Sequence, residues 1–126
     1  MNRAEKAAEY KKKVNCCQAV LLAYQDVLEL DEQTLLSLGS GFGTGMGCME
    51  ATCGALCGAS IAAGLLNHTG RPTTAYTRAV LHDFVTACGA SVCADIKGVG
   101  TGRVLCSCED CVRNAVKALE KVLPQD

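Results

Sequence analysis

Ten cysteines stand among 126 residues, at positions 16, 17, 48, 53, 57, 88, 93, 106, 108 and 111. As thiolates, cysteines bind soft metal ions and iron–sulfur clusters; in pairs they cycle between dithiol and disulfide. Cys106, Cys108 and Cys111 form a CxCxxC run, a spacing that suits zinc or copper as well as iron. Four residues separate Cys48 from Cys53 and Cys88 from Cys93, as in part of a plant-type ferredoxin motif, but the full motif is absent. Spacing alone therefore leaves the metal open.

A secreted disulfide scaffold is the other explanation of such a count. Against it, the opening stretch MNRAEKAAEYKKKV holds no apolar run that could serve as a signal peptide. The long apolar-periodic segments can also build a core without crosslinks. The expected location is cytoplasmic and reducing, where many cysteines mean metal binding or thiol chemistry more often than bridges.

Helix amino termini stabilise thiolates, because backbone N–H groups and the macrodipole point there. Cys53, in the first turn of a predicted helix from Glu50 to about Leu66, meets that condition. So does Cys111, at the start of a helix opening near Ser107. Cys93 falls in a loop, where unpaired N–H groups could serve the same purpose. Cys17 lies on an apolar helix stripe and Cys88 ends another, so both are expected to fill the core. Cys16 is rotated about 100° from Cys17 and points into a different layer.

These cysteines need elements to carry them. Ala7, Tyr10, Val14, Cys17, Leu21, Tyr24 and Leu28 recur in steps of three and four, predicting a first helix from about Arg3 to Glu29. A short helix from Asp31 to Leu38 is expected next, capped by Asp31. The stretch GSGFGTGMG over 39–47 predicts an irregular loop whose glycines permit positive φ. Gly54, Gly58 and Ala62 form a ridge with little bulk, against which another helix can pack closely. A fourth helix runs from Pro72 to a stop at Gly89. Ser91 to Arg103 reads as loop. Ser107 and Asp110 have capping-box spacing for the last helix, which Pro124 closes. No segment alternates like a strand. The expected fold is all-α: a compact antiparallel bundle of four to five helices with a glycine-rich loop, in one domain over 1–126.

Composition excludes several functions. The net charge is −1, from 12 basic and 13 acidic residues, and aromatics are 4% with no Trp. Nucleic-acid binding, which needs a basic surplus and stacking rings, is not expected. The longest uncharged stretch, Ala51 to Leu66, falls short of the roughly 20 apolar residues of a membrane span. The glycine loop lacks the P-loop ending and the GxGxxG spacing. His68 and His82 are expected to be solvated.

Asn15-Cys16-Cys17-Gln18-Ala19-Val20, then Gly41-Phe42-Gly43 to Gly47, then Cys53-Gly54-Ala55-Leu56-Cys57-Gly58, then Cys93 and Cys111-Val112 resemble the C-GCAxxG-C-C family, over about Val14 to Leu123. That family is described as redox-active. The resemblance maps its cysteines onto Cys16, Cys53, Cys93 and Cys111, leaving six outside the pattern. A similar module in split-Soret cytochrome c proteins is associated with an iron–sulfur centre. The resemblance thus implies a [2Fe–2S]-type cluster on those four thiolates, serving electron transfer or redox sensing with a partner redox protein. A homodimer is left open. The alternatives are a metal-free thiol–disulfide protein and a zinc- or copper-binding module using CxCxxC.

Overall fold

The apolar repeat from Ala7 to Leu28 does not run as one helix. In the computed structural model, which describes residues 1–123, it divides into α1 (Arg3–Lys11), α2 (Cys16–Ala23) and α3 (Gln25–Leu28). The break has a local cause at Asn15. Its backbone is extended, its side chain accepts from the Gln18 N–H, and its own N–H donates to the Gln18 side chain. This reciprocal capping box starts a new helix at Cys16. The same two side chains donate to the Gly39 and Leu36 carbonyls, tying α2 to α4 (Glu32–Gly39). Asp31 caps α4 by accepting from the Thr34 N–H, as expected.

A 3-10 turn over Ser40–Phe42 and a wide turn over Gly45–Met49 follow. Then come α5 (Gly54–Leu66), α6 (Thr74–Cys88), α7 (Cys93–Lys97) and α8 (Cys108–Val122). The described residues are helical, with eight α-helices where four to five were expected. Two of the extra helices come from division of the first; another, α7, occupies part of the stretch expected to be loop. No strand occurs among the described residues; Thr52 and Val92 form an isolated antiparallel bridge.

Helix α8 packs on α1 and α6, and α2 packs on α1 and α5. The low ridge of α5 explains its close approach to α2. A Cβ on Gly58 would stand 2.8 Å from the Cys17 carbonyl oxygen and 2.9 Å from Val20 Cβ. Tyr24, Phe84, Leu21, Leu35 and Ile96 are fully buried. The Tyr24 hydroxyl donates to the Val116 carbonyl at 3.4 Å, so the largest buried side chain does not leave a polar atom stranded. Arg113 on α8 pairs with Glu5 on α1 at 3.0 Å. Gly89, at φ +90, ends α6 as predicted. Among the described residues, no helix is long and apolar enough to cross a membrane. Pro124, expected to close the last helix, lies outside the described residues.

Candidate metal centre

Two backbone hydrogen bonds set Cys53 and Cys93 side by side. The Cys53 N–H donates to the Ser91 carbonyl at 2.8 Å, and the Cys93 N–H to the Ala51 carbonyl at 3.0 Å. This small bridge begins α5 at Gly54, later than predicted, and puts Cys53 at its N-cap rather than in its first turn. Cys93 opens α7, Cys16 opens α2, Cys108 opens α8, and Cys111 follows one turn later. The glycine turn presses in from one side. Thr44, Gly45, Met46 and Gly47 all have positive φ, and a Cβ on Gly45 would lie 2.6 Å from Cys93 Cβ. Only glycine lets the backbone come that near the cysteine.

Cys16, Cys53, Cys93 and Cys108 line a cavity of about 220 Å³, together with Lys11 and Lys97. The Lys97 ammonium donates to Cys108 Sγ at 2.7 Å. Outside that cavity lining, the sulfurs of Cys88, Cys106 and Cys111 lie within 4.8 Å of one another, all buried. Asn114 Nδ2 donates to Cys88 Sγ at 3.2 Å and reaches Cys106 Sγ at 3.8 Å. The two groups join through the Cys53–Cys111 contact.

Donors and acceptors alternate along this array. Contact with the Cys111 and Cys16 thiols, and then the Ala55 and Leu56 N–H groups, hold Cys53 down to about 3. Cys16 and then Lys97 hold Cys108 down to about 5. Cys111 and then Asn114 hold Cys88 down to about 6. Their partners keep their protons. Cys16 is pushed up by its bonds to Cys108 and Cys53, and Cys111 by its bonds to Cys53 and Cys88. Burial pushes Cys106 up to about 11. Hydrogen bonding to the charged form lowers a pKa, and burial of a thiol raises it. Cys108, Cys53 and Cys88 are therefore the sulfurs that deprotonate most readily, each beside a thiol that holds its proton more tightly.

Of the four cysteines singled out in the sequence, Cys16, Cys53 and Cys93 share the cavity. Cys111 does not line it; its thiol meets Cys53 from the buried triad. Sequence reasoning gave Cys108 a role only through CxCxxC in the alternative zinc- or copper-binding reading, and treated Cys88 as core filler. Cys88 is 2% exposed, so it is buried as expected, yet its sulfur faces two others. The CxCxxC run was the signal for Cys106 and Cys108. Cys17 is fully buried, and burial pushes its thiol up to about 12. Cys57 is half-buried, and Cys48 is exposed on the glycine turn. His68 and His82 are exposed, as expected. Glu50 precedes α5 by four residues instead of opening it.

This arrangement can hold a thiophilic metal. Thiolates are the soft donors such metals require, and the buried sulfurs already stand close enough to converge on one ion. No curated protein and no solved structure matches the chain. A family model does, one described as "Putative redox-active protein (C_GCAxxG_C_C)", over residues 14–122. That span takes in α2 through α8 and every cysteine of the array, and the chain belongs to this C_GCAxxG_C_C family.

Proposed function

We propose that the protein carries electrons, or senses their availability, with an iron–sulfur cluster of [2Fe–2S] type held by Cys16, Cys53, Cys93 and Cys111. One observation carries the proposal: Cys16, Cys53 and Cys93, from three separate stretches of chain, line one cavity beside the Lys97 ammonium, and the Cys111 thiol contacts Cys53 from outside that lining. Such a cluster is ligated by cysteine thiolates and supplies one-electron chemistry when bound.

The residues fit that group. Gly45 cradles Cys93 where a Cβ would collide. Lys97 supplies positive charge to a site dominated by thiolates. Ala55 and Leu56 present N–H groups to the Cys53 sulfur, the kind of donor that tunes a thiolate-bound centre. Apolar packing under the site, including the fully buried Cys17 and Val20, keeps water from the inner side. A reducing compartment and an electron-exchanging partner protein complete the proposal. A second reading, a metal-free dithiol protein, has one observation in its favour: the Cys16 thiol contacts the Cys108 thiolate, a pair disposed for disulfide exchange.

Anaerobically purified protein, analysed for iron and acid-labile sulfide, tests the proposal. Both elements are expected together with visible absorption. Cys53→Ser is expected to abolish them, and Cys17→Ser to keep the iron while lowering stability. Colourless protein without sulfide, or equal iron in the two variants, would overturn it.

A further inference from the structure

We propose that Cys88, Cys106 and Cys111 form a second metal site, taking a single thiophilic d10 cation, zinc(II) or copper(I). The proposal goes beyond the cluster and shares only Cys111 with it. Cys88 ends α6, Cys106 lies in the segment before α8, and Cys111 sits in the first turns of α8. Chain folding alone brings these three sulfurs within 4.8 Å of one another. Their exposures are 2%, 9% and 0%, so water can do little to screen a charge among them.

The donor set defines the class of ion. All three donors are sulfur, with no carboxylate or imidazole in the group. Soft thiolates select copper(I) and zinc over hard cations such as magnesium and calcium. One ion at the usual zinc–sulfur length of about 2.3 Å would sit in a sulfur triangle with edges of about 4 Å. Small side-chain adjustments close the present spacing to that value. Thiolate sulfur has lone pairs to spare, so Cys111 can bridge the two sites, ligating the cluster on its Cys53 side and the cation on the other.

Asn114 supports the assignment. Its amide donates towards both Cys88 and Cys106, and such N–H bonds orient ligating sulfurs and offset their charge. No ammonium or guanidinium is hydrogen-bonded to any of the three sulfurs among the described residues. Lys97, which neutralises Cys108, makes its thiol hydrogen bond in the cavity group. A bound cation would supply the positive charge that the triad lacks.

The test uses the full, reduced, metal-free chain under anaerobic conditions. It is titrated with zinc against a competing chelator, and separately with copper(I) against a copper(I)-selective one. One tight equivalent of at least one of the two ions is expected. Cys88→Ser and Cys106→Ser should each remove it, and Cys16→Ser and Cys108→Ser should leave it in place. Asn114→Ala should weaken it by about tenfold. X-ray absorption at the metal edge of unmutated protein holding one equivalent should count three sulfur neighbours, a reading that survives any folding defect in the variants. Binding of neither ion, four sulfur neighbours, or a tight equivalent that survives Cys106→Ser but not Cys16→Ser would overturn the second site. Iron and sulfide analysis of Cys88→Ser separates the two proposals. Iron kept with the tight equivalent lost supports both; no iron in any variant, with the titration as expected, removes the cluster and leaves the triad.

Discussion

Cys16, Cys53, Cys93 and Cys108 face a cavity beside the Lys97 ammonium, whereas Cys88, Cys106 and Cys111 face one another with an amide as their donor. Both groups are built from the same side chain, and they meet at the Cys53–Cys111 contact. What differs is how each handles charge. The cavity group has a cation, helix N–H groups and space, and it includes three of the four sulfurs proposed for the cluster, Cys16, Cys53 and Cys93. The triad is buried and, among the described residues, has no ammonium or guanidinium hydrogen-bonded to it, which suits a positive ion. Thiols that look equivalent in sequence are therefore set apart by their surroundings.

The largest effect that would break this contrast is steric. Gly45→Ala puts a Cβ against Cys93 at a residue with φ +56. Overpacking and left-handed strain together predict a loss of about 2–4 kcal/mol in urea unfolding, with Cys93 displaced from the cavity. Gly47→Ala is the control. It shares the positive φ but would meet nothing within 4 Å, so strain alone should cost about 1–2 kcal/mol. Equal losses would show that the close approach to Cys93 is unimportant.

Charge comes next. Lys97→Met removes the ammonium on Cys108 and should cost about 1 kcal/mol, discounted for partial exposure. The sign with pH follows from the depressed Cys108 value. The stabilisation is complete above the unfolded thiol value of about 8.5. It declines below that and is lost as pH falls through the folded value of about 5. Melting temperatures of the two proteins, compared from pH 8.5 down to 5, should converge. Alkylation of Cys108 at pH 6, followed by mass spectrometry, should slow several-fold in the variant. A gap that widened on acidification would contradict the ion pair.

The smallest effect belongs to the triad. Asn114→Ala removes a neutral donor at a half-buried position and should cost about 0.5–1 kcal/mol. Its signature is local. The Cys88 thiolate, held down to about 6 by Cys111 and then Asn114, should titrate higher by ultraviolet absorbance, and Cys108 alkylation should not change. A change at Cys108 would mean that the two groups are not separately controlled.

The split of the predicted first helix shows where sequence reasoning stopped. The apolar repeat continues through Val14 and Cys17, so periodicity alone favours one helix. The capping box of Asn15 and Gln18 overrides it, and its signature, Asn followed three residues later by Gln, was visible in the chain. The Asp31 cap, the Ser107 cap and the Gly89 stop were read correctly, because each depends on residues within one turn. The burial of Cys17 and the close packing along the Gly54–Gly58 ridge were legible for the same reason: a helix face repeats on a known period.

By itself, then, the sequence determined the helical character of the chain, the helix boundaries set by Asp31, Gly89 and Ser107, and the abundance of thiols near helix starts. Family membership was likewise carried by residues near Cys16, Cys53, Cys93 and Cys111. Tertiary structure alone decided which sulfurs meet. The two hydrogen bonds between the Ala51–Cys53 and Ser91–Cys93 segments join residues some forty positions apart, and no local rule announces such a bridge. Cys88 has the periodicity of a core residue and is buried like one; the packing of α6 on α8 turns its sulfur towards Cys106 and Cys111. Local hydrogen bonding and periodicity act over one or two turns, while a shared thiol site depends on how whole helices pack.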